Sequence, residues 1–254
     1  MIPILEAKQV SKSYGVYQAL KDVSLKFYEG ETVSIVGPNG AGKTTFVNVL
    51  TGLLKPTEGD VDFLGKSIAG VGPVKLSQYG MARAFQLVQI FPLMTVQETI
   101  ISAVISQKGS QYNFWSNAAE QKRLVDKAHE VAKIFNLDQK MSWQASYLSQ
   151  GEKKLLDIAS AFALDPKVIL LDEPTSGIST ADKRGIMDTL MEAAKIAGIK
   201  TILLVEHDME LVAEYSTRIV ALAEGKLLAD LPPKEFFANA ELEAQIIGKR
   251  VSHA

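Results

Sequence analysis

The chain has 254 residues, 47% of them hydrophobic, enough for one sizeable core with a subdomain attached. Its 27 Lys and Arg against 29 Asp and Glu leave a net charge of -2, and no basic run exceeds Gly248-Lys249-Arg250, so the basic face of a nucleic-acid binder is absent. With no cysteine there is no disulfide and no thiolate metal site, which suits a reducing compartment. The opening Met1-Ile2-Pro3-Ile4-Leu5-Glu6 lacks the charged-then-apolar layout of a signal peptide. The longest apolar stretches fall far short of the ~20 residues that span a bilayer, so no membrane crossing is expected.

In chain order, Val23 to Tyr28 alternates apolar and polar residues as a half-exposed strand does. Thr32 to Val36 is a more continuous apolar strand that runs into glycines, and Phe46 to Leu50 continues as a helix. From about Val88 to Asp165 the spacing turns helical: Leu124, Ala128, Val131 and Phe135, then Leu155, Ile158, Ala159 and Phe162. Within it, Lys108 to Asn117 is polar and breaker-rich, a predicted loop carrying Phe114 and Trp115. Val168 to Leu171, Thr201 to Val205 and Arg218 to Leu222 are further strands, the first two apolar enough to be central. Strands alternating with helices predict an α/β protein with a mostly parallel sheet and an inserted helical subdomain. There is no internal repeat, low-complexity tract or long linker.

Gly37-Pro38-Asn39-Gly40-Ala41-Gly42-Lys43-Thr44 fits G-x-x-x-x-G-K-[ST] at every fixed position, between a strand and a helix, and Thr45 follows. Glycines let the backbone curl around phosphates with its N–H groups inward, and a helix N-terminus adds partial positive charge. Lys43 then reaches the β- and γ-phosphates of ATP, and the Thr44 hydroxyl ligates Mg²⁺. Val168-Ile169-Leu170-Leu171-Asp172-Glu173 supplies the other half: an apolar strand ending in acid places Asp172 for the metal and Glu173 to orient and deprotonate the hydrolytic water. Two acids after a buried strand can merely mark its exit into solvent; the complete P-loop is what gives them a role.

Leu148-Ser149-Gln150-Gly151-Glu152 resembles the LSGGQ signature of the ABC ATPase family, a resemblance that covers nearly the whole chain. It implies a P-loop NTPase (RecA-like) core over residues 1–87 and 165–254, with an N-terminal antiparallel β subdomain, and a helical signature subdomain over 88–164. It also implies that Ser149 and Gly151 approach the γ-phosphate of ATP bound by a second subunit. Gln150 and Glu152 depart from the family pattern. Ser149-x-x-Glu152 is equally a capping box, and because a free carboxylate would repel phosphate, Glu152 is expected to cap rather than to contact ATP. By the same resemblance Gln86 is the Q-loop residue at Mg²⁺ and water, and His207 is the switch histidine at the γ-phosphate. Tyr14 is the aromatic that stacks on adenine, and Ser176-Gly177-Ile178-Ser179 is the D-loop, with Ser179 in place of the frequent Asp. Alone, Tyr14 would be a packing aromatic and His207 an ordinary loop histidine; order and spacing give them these roles.

The resemblance further implies a dimer of ATPase subunits beneath integral membrane permease subunits, peripheral on the cytoplasmic side of the cell membrane, with a separate solute-binding protein and no nucleic acid. Val205-Glu206-His207-Asp208-Met209, the long interval from Gln86 to Ser149, and the ending near Ile246-Ile247-Gly248 are similar to importers of branched-chain amino acids and related small amides. Coupling to the membrane subunits is expected around Gln86 to Pro92. Three alternatives stay open: a non-transport ABC ATPase in nucleic-acid or translation work, a P-loop kinase or GTPase, and a nucleotide sensor without turnover. Coiled coils and basic arms are missing for the first, a guanine-reading Asn-Lys-x-Asp for the GTPase, and Glu173 speaks against the third.

Overall fold

The computed structural model describes residues 2–84, 91–108 and 118–247. The first half runs β1 (Leu5–Tyr14), β2 (Tyr17–Phe27), β3 (Thr32–Val36), α1 (Lys43–Leu50), β4 (Glu58–Phe63), β5 (Lys66–Ser67), α2 (Pro73–Tyr79), β6 (Met81–Ala84), α3 (Val96–Lys108) and α4 (Ala118–Ile134). Then come α5 (Gln150–Phe162), β7 (Val168–Asp172), α6 (Thr180–Ile196), β8 (Thr201–Val205), α7 (Met209–Tyr215), β9 (Arg218–Ala223), β10 (Lys226–Leu231), α8 (Pro233–Ala238) and α9 (Ala240–Ile247). Two compact units divide the chain, Met1–Pro73 with Lys200–Ala254, and Val74–Ile199.

In the first unit, β2, β1, β4 and β5 form an antiparallel sheet in that order. The predicted strand from Val23 is only its regular end, since β2 begins at Tyr17. Register shifts against β1 and the left-handed backbone of Asp22 (φ 51°) break the period-two alternation there, which hides Tyr17–Asp22 from pattern reading. β3 lies between β8 and β9 and is parallel to both, while β10 adds antiparallel to β9. Every residue of β8 is buried, as an apolar strand covered on both faces requires. Helices α8 and α9 pack here: Phe236 and Ile246 join Val36, Val212, Ile219 and Ala221 in one buried cluster.

In the second unit, β6 pairs parallel to β7, whose five residues are all buried. Among the described residues between 91 and 164, the regular structure is helical apart from an isolated bridge of Thr95 with Gln144. Phe135 follows the end of α4 and meets Phe162 of α5 edge to face, centroids 4.9 Å apart. In α5 the buried face holds Leu156, Ile158, Ala159 and Phe162; Leu155, expected in that stripe, is half-buried and Leu156 takes its place. Helix α3 carries through Lys108, where the loop was expected to begin, and 109–117, with Phe114 and Trp115, lie outside the described residues.

Candidate functional site

In the first unit, β3 delivers the chain into the loop Gly37–Gly42, and α1 starts at Lys43. Two glycines there cannot be replaced. A Cβ on Gly37 (φ 153°) would stand 2.3 Å from the Leu222 carbonyl oxygen, and one on Gly42 (φ 99°) 2.6 Å from that of Ala19. The loop is thus pinned between β9 and the outer edge of β2, where Lys21 N–H also donates to the Gly225 carbonyl. Lys43 is 7% exposed, and its ammonium turns back into the loop, donating to the carbonyl oxygens of Gly37 (2.7 Å) and Pro38 (3.1 Å). Gly42 has no side chain with which to cap α1, and the first turn holds no acid. A helix N-terminus without a side-chain cap, beside a buried cation, is a receptor for an anion. Pro38, Asn39, Gly40 and Thr44 are exposed, Thr45 is half-buried, and Ala41 is buried.

Tyr14 ends β1 and is 50% exposed at the hairpin tip, directly across from Tyr17, with the Lys12 ammonium 5.5 Å from its ring centroid. It does not fill a core. His207 lies two residues past β8, exposed, its backbone N–H donating to the buried Glu206 carboxylate (3.2 Å). Because Ile35 of β3 pairs with Val205 of parallel β8, Gly37 and His207 leave the same end of neighbouring strands. Ligands of open parallel sheets bind at that end.

In the second unit, Asp172 closes β7 and is 4% exposed; its Oδ2 accepts from Arg83 Nη2 of β6 at 2.8 Å, the arginine side chain being 8% exposed. Glu173 follows, half-buried, with φ 50°. A left-handed backbone costs a residue with a Cβ about 1–2 kcal/mol, and Glu173 shares it with turn and bulge residues such as Asp22 and Asn136. Ser149 is the exposed N-cap of α5: its Oγ accepts from Glu152 N–H (3.2 Å), and Glu152 Oε2 accepts from Ser149 N–H (2.9 Å). Both bonds of the expected capping box are made, so Glu152 folds back onto the backbone. Gly151 stands in the first turn. Ser179 caps α6, donating to Asp182 Oδ2 and accepting from Asp182 N–H, which gives this departure from the D-loop pattern a structural purpose. Gln86 lies outside the described residues.

The family described as "ABC transporter" matches residues 20–176, more than half of the chain. The chain belongs to that family. The match takes in the P-loop, the signature, Asp172 and Glu173, and leaves Tyr14 and His207 outside. Among curated ABC proteins, the chain is 32% identical over 247 residues to the probable branched-chain amino acid transport ATP-binding protein LivG of Methanocaldococcus jannaschii, covering 96% of this chain and 95% of that one. It is 33% identical over 252 residues to the high-affinity LivG of Salmonella typhimurium, covering 97% and 98%. Among solved ABC cassettes, one in its ADP conformation superposes with TM-score 0.84 at 28% identity, covering 98% of this chain and all of that one. A dimeric cassette bound to ADP and phosphate after hydrolysis gives 0.76 at 29%, covering 90% and 98%. The α/β architecture, with one antiparallel sheet and mostly parallel pairing in the other strands, is that of these ABC cassettes. The chain is the ATP-binding subunit of an ABC transporter, and an ATPase.

Sequence reasoning missed Arg83. A lone arginine in the short apolar strand Met81-Ala82-Arg83-Ala84 was its only signal, because a buried charge needs a partner. It also missed Lys140, whose side chain pairs with Glu152 from a 3₁₀ turn at Asp138–Lys140. Nothing in the spacing marks that lysine.

Proposed function

We propose that the chain binds MgATP and hydrolyses it to drive import of branched-chain amino acids or similar small amides through permease subunits in the membrane. The carrying observation is the Gly37–Lys43 loop, whose ammonium bonds its own carbonyls above a helix end that offers amides and no competing side chain. Gly37, Pro38, Asn39, Gly40, Ala41 and Gly42 give the wall of the phosphate cradle. Lys43 gives up its loop carbonyls for the β- and γ-phosphate oxygens, a stronger charge-assisted pairing. Tyr14 stacks on the base, and Thr45 backs the cradle from the helix. The solute class rests on the likeness to the branched-chain amino acid proteins.

Among the described residues no group of three or more His, Cys, Asp or Glu can hold a metal alone, which fits an ion brought with phosphate oxygens as its main ligands. Thr44, Asp172 and Gln86 would be its protein ligands; Arg83 Nη2 donates to Asp172 Oδ2, and the exposed Thr44 hydroxyl stands at the start of α1. When bound, magnesium neutralises charge on the phosphate oxygens during transfer. Glu173 orients the water and accepts its proton, and His207 steadies the γ-phosphate. Ser149 and Gly151 complete the site of a second ATPase subunit. No helix among the described residues is long and apolar enough to cross a membrane. By likeness to the branched-chain amino acid transport proteins, permease subunits carry the solute path and this chain works peripherally on their cytoplasmic side.

Glu173→Gln tests this reading. It retains ATP binding, nearly stops turnover and accumulates an ATP-bound dimer. A monomer with normal turnover contradicts it. Tagged chain extracted with mild detergent from its native cells brings down permease subunits; recovery with nucleic acid or ribosomes instead would favour the non-transport alternative.

A further inference from the structure

The signature helix carries a charge that its task should not tolerate. Glu152 sits in the first turn of α5, three residues from Ser149, and a carboxylate so placed adds a negative charge beside the end that would meet a triphosphate. Capping consumes only one of its oxygens: Oε2 accepts from Ser149 N–H, while Oε1 accepts from the ammonium of Lys140. Lys140 is itself held from a second side, its ammonium 4.8 Å from the centroid of the Trp143 ring. The two charged side chains are each about three-tenths exposed, and the lysine ammonium is the largest of the influences that hold the Glu152 carboxyl below its ordinary range. Ser149, Glu152, Lys140 and Trp143 therefore form one connected row, and the glutamate is both fixed in direction and neutralised.

We infer that Lys140 is a positioning residue for the signature helix, the countercharge that lets a glutamate at position 152 stand beside ATP bound in a second copy of this chain. This rests on the reading that Ser149 completes the neighbour's site. Lys140 touches no reacting atom. It acts through Glu152, by cancelling the repulsion and by keeping Oε1 off the phosphate. Removing the lysine leaves an uncompensated carboxylate; removing both charges leaves the helix as acceptable as before.

The test is ATP-driven dimerisation of the full chain by sedimentation, in the Glu173→Gln background, with monomer affinity for ATP measured in parallel. Lys140→Met is expected to raise the ATP concentration for half-dimerisation by at least about tenfold, with monomer affinity unchanged and the defect shrinking in high salt, because exposed charge repulsion is screened. Adding Glu152→Gln to Lys140→Met restores dimerisation, and Lys140→Arg retains it. Thermal melting identifies any variant that has not folded, and Lys140→Arg and the double variant then carry the test. Dimerisation unchanged in Lys140→Met overturns the inference, and so does a double variant as weak as Lys140→Met, which would make the lysine a phosphate contact in its own right. Ser149→Arg is the control for the underlying reading: if it dimerises normally, the shared site is wrong, whatever the Lys140 variants do.

Discussion

Lys43 is buried and charged, and its ammonium donates to two carbonyls of its own loop, weaker partners than a phosphate oxygen would be. Lys43→Ala is accordingly expected to abolish tight ATP binding in titration calorimetry while leaving the protein folded, since Gly37 and Gly42 hold the loop by backbone fit. Arg83 makes the opposite case. Its partner Asp172 is 4% exposed, so Arg83→Met leaves a carboxylate buried without its cation, and breaking such a pair costs about 3–5 kcal/mol. Denaturant unfolding of the variant should show a loss of that order, and an unchanged midpoint would mean the pair contributes little. Lys43 was legible in the sequence because phosphate binding fixes its distance from the glycines along the chain. Arg83 and Lys140 were not, because their partners are 89 and 12 residues away and only the fold joins them.

At the scale of the element, α5 combines two signals that pattern reading separated correctly: a capping box at its start and an apolar stripe along it. The stripe was placed one residue off at Leu155, since adjacent leucines are interchangeable to a periodicity argument and packing alone selects Leu156. The same helix holds Asp157, largely buried, with no hydrogen bond to Oδ2 among the described residues. Burial pushes its carboxyl up to about 6, with Lys154 opposing. A carboxyl raised from its unfolded value destabilises the fold wherever it is ionised, so the penalty is full above pH 6 and fades as pH falls towards 4. Asp157→Asn should therefore raise the melting temperature at pH 7.5 by several degrees, on the order of 1–3 kcal/mol, with the gain disappearing near pH 4. A gain that is constant across this range would assign the effect to packing instead. Strand β2 shows the complementary limit: its regular half was readable, and its bulged half, which presses on Gly42, was not.

At the scale of the molecule, each unit carries part of the proposed machinery: the cradle, Tyr14 and His207 in one, Asp172, Glu173 and the signature in the other. The chain has an ATPase and, among its described residues, no span through which to move a solute. Solved cassettes of this family include a dimer, and the central claim proposed for this chain is that the Ser149 end of α5 completes the P-loop site of a second subunit. The absence of cysteine makes a direct measurement available. In an Asn39→Cys, Ser149→Cys variant carrying Glu173→Gln, mild oxidation with MgATP should give a disulfide-linked dimer on non-reducing gels, and little or none without nucleotide or with either cysteine alone. Purely monomeric protein after oxidation with saturating MgATP, in a sample shown to bind the nucleotide, would contradict the account.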